Sequence, residues 1–364
     1  MKIVYKFKPL LILIAFIGYC FISVLWSDSF SEGFCRVFNF HKYYFLFGTA
    51  LLLSLDKAGA IKAIKVLLFS FTTYALFSLL VHFNFIGVDG ISYHNPEGLI
   101  RFSISTQYMV ITTLVAMILA FDVSSRVWKI IYVSLSLVSL LALLVNYSRA
   151  SQLTFLFTIV ALIVGYSLKN TKFAIGSLII LVIIVFSFSQ NIYIVNKFNI
   201  AIKEAKQVYT DNVYSGSFGV RLYFNKVGFE ILKENLLFGM GPVDNRTKLV
   251  EMEKNDEHYQ GDNENYRLIK HFHSEHMEIL TAYGLVGYLL ILTSIVLLVY
   301  KLPNNGIHKY MAMSVFLTLF FVSFANKTLT LKPLNYIYII FFILFSIIAY
   351  QTIKQEEKIS TKLT

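Results

Sequence analysis

The stretch HFHSEHMEILTAYGLVG, residues 271–287, decides how the chain is read. Three histidines and two glutamates (Glu275 and Glu278) fall within its first eight residues, and apolar residues then run on to Tyr300. A helix needs about 20 mostly apolar residues to cross the hydrocarbon core of a bilayer. The stretch therefore marks a boundary, with a long polar segment before it and an unbroken membrane helix expected after it.

The rest of the chain agrees with a membrane reading. Of its 364 residues, 57% are hydrophobic and only 15% are charged, where a soluble domain carries about 25% charged residues. Mean hydropathy is +0.65. The net charge of +11 is carried mostly by lysines and arginines that flank apolar runs. Membrane topology explains that placement without nucleic acid. Cys20 lies in an apolar run and Cys35 outside one, so neither a mutual disulfide nor a metal spacing is expected. The first apolar run ends at Trp26 without a small-x-small cleavage site and is expected to stay as a helix.

Apolar runs mark about ten spans: Leu10–Trp26, Tyr43–Leu55, Ile61–Phe83, Ile104–Phe121, Ile130–Val145, Leu153–Leu168, Phe173–Phe188, Met277–Tyr300, Met311–Phe324 and Leu334–Tyr350. The ends that are richer in Lys and Arg (among them Lys2, Lys6, Lys57, Lys62, Lys169, Lys354 and Lys358) are assigned to the cytoplasm. Both termini are then cytoplasmic. The expectation is an all-α integral membrane protein, one polytopic domain over residues 1–364. A large periplasmic loop covers about 190–275, too long to lack structure of its own. Two amphipathic helices are expected in it. One has apolar Phe198, Ala201, Ile202, Ala205 and Val208; the other has Val220, Phe224, Val227, Ile231 and Leu232, and stops at FGMGP (238–242). Such helices lie on the membrane surface or cap the bundle. A polar loop is expected from Glu251 to Arg267.

Few residues offer chemistry. Arg149, in NYSRASQ, stands at the outer mouth of two consecutive spans. A cation so close to hydrocarbon either snorkels to the interface or binds an anion within the bundle. Arg221 is expected in the first turn of the second amphipathic helix, where free backbone N–H groups add to its attraction for phosphate; its plainer reading is a solvated surface residue. His273 and His276 have a spacing that can hold a metal on a helix, but no H-E-x-x-H pattern is present. A histidine with an ordinary pKa near 6.5 is the better general base. Asp28 and Glu32 form an acidic pair that reads first as a solvated loop.

Four segments carry a family resemblance. WSDS (26–29) resembles a tryptophan-serine-acid signature after an early span, and SRAS (148–151) a serine-arginine start of a mid-chain span. RLYFNKVGFEILKENLLFGMGP (221–242) resembles an arginine-led helix ending in a glycine-x-glycine turn. His273–Gly287 fits a pattern of His, then Asn, Ser or Gln, nine residues, Gly, two residues, Gly. Together they resemble the O-antigen ligase and O-antigen polymerase superfamily of bacterial membrane glycosyltransferases, closest to the ligases. The resemblance implies transfer of a glycan from an undecaprenyl-diphosphate-linked donor, at the periplasmic face of the inner membrane, to a sugar hydroxyl of lipid A–core. Polymerisation of lipid-linked repeat units is the alternative. A protein O-oligosaccharyltransferase and a lipid-linked sugar transporter rank lower. It implies His273 as base, Arg149 and Arg221 on the diphosphate, Arg36 and Arg101 along the substrate path, no cofactor and no metal. Membrane lipids are the other partners, and nucleic acid is not one.

Overall fold

A computed structural model describes residues 6–88, 100–146, 148–166, 175–176, 178–179, 181–182, 186, 192–261, 271–304 and 306–363. Almost all of these are helical. First come α1 (Lys8–Ile22, continued as a 3-10 turn, Ser23–Trp26), α2 (Phe30–Ser54), α3 (Lys57–His82), α4 (Phe102–Asp122), α5 (Arg126–Val145) and α6 (Arg149–Tyr166). Then follow α7 (Ile192–Asp211), α8 (Gly216–Asn235) and α9 (Asp244–Asn255), and last α10 (Glu275–Lys301), α11 (Ile307–Val322) and α12 (Lys332–Leu363). Two short strands, β1 (Tyr214–Ser215) and β2 (Tyr259–Gly261), pair in parallel beside α8.

Six helices (α1, α3, α4, α5, α10 and α12) are long and apolar enough to cross a membrane, and α6 and α11 are shorter apolar helices. The expected span Tyr43–Leu55 forms the second half of α2, whose first half carries Glu32, Arg36, Asn39 and Lys42. The expected span Phe173–Phe188 lies mostly outside the described residues. Local signals set the helix starts. Pro9 sits in the first turn of α1, where its missing N–H costs nothing. Asp56 caps α3 by accepting the Gly59 N–H at 2.7 Å.

The bundle is built around α4, which is almost wholly buried. Its Ser105, Thr106, Thr112 and Thr113 are buried, as are Ser136 and Ser139 on α5 and Ser314 and Thr318 on α11. Small hydroxyl residues let helices approach closely, and their hydroxyls bond to backbone carbonyls. Ser136 Oγ donates across the interface to Thr113 O at 3.0 Å. Large apolar side chains on the outer faces, such as Leu46, Val66, Ile130 and Leu141, are exposed, as a lipid-facing surface requires.

A second, smaller core sits over one end of the bundle. The apolar stripe of α8 (Val220, Phe224, Val227, Ile231, Leu232) is buried there with Leu249, Tyr259, Phe272 and Met277. The stretch expected as a loop from Glu251 instead continues α9 to Asn255 and enters β2 at Tyr259, while residues 262–267 lie outside the described residues. Packing against α8 overrides the polar composition: Leu249 and Glu253 are buried, and Tyr223 Oη donates to Met252 O at 2.9 Å.

Candidate functional site

Three of the four motifs meet, two of them backbone to backbone. The FGMGP turn crosses α10: Met240 N–H donates to Thr281 O (2.9 Å), Gly241 N–H to Ala282 O (3.0 Å), Leu285 N–H to Leu236 O (2.8 Å) and Val286 N–H to Leu237 O (3.1 Å). Where it gives and accepts these bonds, α10 breaks its helical path at Gly284 (φ 63°, ψ −169°). The expected unbroken helix is therefore kinked, because the peptide groups around Gly284 serve a second chain segment. A Cβ on Gly239 would stand 2.5 Å from Ala282 C, and one on Gly284 2.3 Å from Leu237 O. Only glycine admits that approach. WSDS packs on the same turn. Asp28 N–H donates to Asp244 at 3.3 Å, and the rings of Trp26 and Phe238 meet edge-on at 6.4 Å.

The fourth motif starts α6. Ser151 Oγ lies 2.7 Å from Thr106 Oγ1 and 3.0 Å from Ser148 Oγ, and Gln152 Nε2 donates to Asn146 O at 2.7 Å. These buried contacts fix the first turn of α6 against α4 and leave Arg149 at a cleft of about 620 Å³. Arg221 lines the same cleft, with Ser103 and Ser148 among the polar walls. The apolar wall is formed by Leu153, Leu222, Phe324 and the α7 residues Phe198, Ala201, Ile202 and Ala205. Thus the hydrophobic stripe of α7 faces the arginines, with Phe198 and Ile202 exposed.

Arg221 does not open its helix. It is the sixth residue of α8, which starts at Gly216, and Nη1 donates to Ser217 O and Ser217 Oγ. The Phe218 N–H is taken by Glu204 Oε2 at 2.6 Å. Both α6 and α8 begin at the cleft, α6 with Arg149 and Ala150 and α8 with Ser217 and Phe218. A helix start favours anions through its unpaired N–H groups and dipole.

The histidines divide into two roles. His276 Nε2 lies 2.9 Å from Phe320 O and so carries the proton, which leaves Nδ1 to accept from Tyr288 Oη at 3.1 Å. It ties α10 to α11. His271 and His273 stand together, ring centroids 4.1 Å apart, and His273 stacks on Phe224 at 5.8 Å. His273 is not among the residues lining the arginine cleft, yet it feels the Arg221 charge. Burial, with Lys327 next, pulls His271 down to about 4. Burial, then His271, Arg221 and Lys327, pull His273 down to about 3. Burial likewise brings Lys327 down to about 8, against the opposing pull of Glu278. At neutral pH both imidazoles are unprotonated.

Arg36 does not line the cleft but donates to buried Glu278 at 2.6 Å, and Arg246 joins the same carboxylate oxygen. Arg101 is exposed just before α4, two residues from the cleft residue Ser103. Among the described residues no three His, Cys, Asp or Glu side chains are placed to hold a metal ion. Sequence reasoning missed Arg246 and Lys327. Nothing in the local sequence distinguishes either from the chain's other cations; both become part of the site through Glu278.

Fold and site together define a polytopic membrane protein with an anion-attracting, half-apolar cleft at one end of its bundle. Residues 134–292 match a family model described as O-antigen ligase, and the match supports the O-antigen ligase and polymerase superfamily. That family indicates a glycosyltransferase-type enzyme of O-antigen processing, working on lipid-linked glycans at a membrane. The matched span contains Arg149, Arg221 and His273 but not WSDS. A comparison with curated proteins gives no match.

Proposed function

We propose that this chain is an O-antigen ligase that moves a glycan from undecaprenyl diphosphate to a sugar hydroxyl of lipid A–core at the periplasmic face of the inner membrane. The observation that carries the reading is the shared cleft of Arg149 and Arg221, with apolar α7 residues as its other wall. A polyprenyl diphosphate has that same division: a doubly charged head and a hydrocarbon tail. The leaving diphosphate is already ionised, so it needs charge neutralisation more than a proton. Guanidinium suits this, being permanently charged and able to bond phosphate oxygens in pairs. His273, unprotonated beside Arg221, accepts the proton of the acceptor hydroxyl as that oxygen attacks the anomeric carbon from the face opposite the diphosphate. The anomeric configuration inverts. The bound diphosphate sets negative charge beside the histidine and raises its affinity for that proton. No metal enters this scheme.

A lipopolysaccharide gel of a deletion strain, complemented by wild type or His273→Ala, tests the proposal. Loss of every O-antigen-bearing band with build-up of lipid-linked polymer is the expected result, and the His273→Ala copy leaves the defect in place. A collapse of the ladder to core plus one repeat replaces ligase with polymerase. An unchanged ladder refutes both.

A further inference from the structure

We propose that Glu278 is a positioning residue for His273 and acts through the backbone of the loop that carries the histidine; the role at the reaction rests on reading His273 as the base. Glu278 is 1% exposed, one turn inside α10. One carboxylate oxygen accepts from Arg36 on α2 and Arg246 on α9, and the other accepts the Phe272 N–H at 3.3 Å. A single side chain thus joins two helices that lie far apart in sequence to the residue just before His273.

The backbone of His273 explains why such a tie is needed. Its φ is +51°, in the left-handed region that a non-glycine residue occupies only where its surroundings enforce it. The surroundings do so from both sides. On one side Phe272 is held by its N–H bond to Glu278 and by its buried ring. On the other, Ser274 Oγ donates to Ser323 O at 3.1 Å and Glu275 N–H to the same carbonyl at 2.8 Å. Releasing the Phe272 side lets the backbone of His273 relax, and the ring leaves Phe224 and its place beside Arg221.

Charge matters as well as shape. Glutamine in place of Glu278 has one acceptor oxygen and one amide nitrogen. The nitrogen must then face either the arginines or the Phe272 N–H, donor against donor. Arg36 and Arg246 would also lose the buried counter-charge that both share.

The test uses the full chain in proteoliposomes. Glu278→Gln and the milder Arg246→Lys are compared with wild type in three measurements. These are transfer from lipid-linked glycan extracted from the deletion strain, binding of undecaprenyl diphosphate, and carbethoxylation of His273 by diethyl pyrocarbonate, read by mass spectrometry. A misplaced base predicts a fall in kcat of about a hundredfold for Glu278→Gln, with KM for the donor and undecaprenyl diphosphate binding unchanged. It also predicts faster carbethoxylation of His273, and smaller changes of the same sign for Arg246→Lys. Unchanged kcat with unchanged carbethoxylation overturns the proposal. So does joint loss of kcat, diphosphate binding and melting temperature in both variants, which marks a purely structural residue. If wild type itself neither transfers glycan nor binds undecaprenyl diphosphate, the ligase reading fails on its own. The carbethoxylation rate then still decides the role of Glu278: faster in the variant supports it, unchanged refutes it.

Discussion

Replacing Gly284 with alanine tests the crossing on which three motifs depend. The residue sits at φ 63°, ψ −169°, a region open essentially only to glycine. Holding alanine there costs about 1–3 kcal/mol. The new Cβ would stand 2.3 Å from Leu237 O and 2.4 Å from Leu237 C, so the FGMGP strap has to move. Moving it breaks the bonds from Leu285 and Val286 to Leu236 O and Leu237 O, each with a net value of about 0.5–1.5 kcal/mol. The sum is roughly 2–6 kcal/mol before repacking. Trp26 reports the event because its ring lies against Phe238 in the strap. In a Trp128→Phe background, thermal unfolding followed by Trp26 fluorescence should show a lower melting temperature and a shifted emission already at low temperature. Gly18→Ala is the control, since a Cβ there meets nothing within 4 Å. A Gly284→Ala protein with wild-type emission and melting temperature would refute the claim that this glycine exists to admit the strap.

Three further outcomes follow from the site. The depressed histidines make the folded state bind fewer protons than the unfolded chain between about pH 6.5 and the folded values of about 4 for His271 and about 3 for His273. Their contribution to stability is therefore complete above about pH 6.5 and is lost as pH falls through that window; melting temperature should drop on acidification, and less so in a His271→Gln, His273→Gln double variant. The same shift places the acid limb of kcat/KM below the ordinary histidine pKa, and that of kcat higher, because the bound diphosphate favours the imidazolium; coincident limbs near pH 6.5 would contradict the environment described for His273. Ser274→Ala removes the cap whose Oγ faces the Met277 N–H and the bond to Ser323 O, and should lower stability by about 1–2 kcal/mol in the same melting assay.

What the sequence disclosed and what it hid divide along a physical line. Hydropathy is a local property, so apolar runs such as Ile130–Val145 and Met277–Tyr300 coincide with helices whatever their neighbours do. The inward face of α8 was readable for the same reason, since the spacing of Val220, Phe224 and Val227 follows from helix geometry alone. Pairing is not local. Arg36 and Glu278 are 242 residues apart and Arg246 and Glu278 are 32 apart, and no spacing rule connects them. The kink at Gly284 was hidden because glycine within an apolar run reads as a tolerated helix residue until a second strand of backbone is laid across it. The start of α8 lies earlier than the sequence suggests: Ser215 at the N-cap makes no side-chain cap bond, and Glu204, brought from α7, satisfies the Phe218 N–H instead.

Arg149 and Arg221 gain meaning as a pair. Each alone is compatible with an arginine that snorkels or is solvated. Ser151 and Thr106 fix the start of α6, and the buried stripe of α8 fixes the side from which Arg221 projects. Those two constraints, each readable as packing, bring both cations to one cleft whose remaining wall is apolar. A soluble anion has no use for that wall, and a neutral lipid has no use for the arginines. On the proposed function, the combination suits a ligand that carries both features in one molecule. That is why undecaprenyl diphosphate, without any sugar attached, should bind this chain and should lose most of its affinity in Arg149→Ala and Arg221→Ala alike. Inorganic diphosphate, which lacks the tail, should compete only weakly. If inorganic diphosphate bound as tightly as the lipid, the apolar wall would have no part in recognition and the cleft would have to be read as an anion site alone.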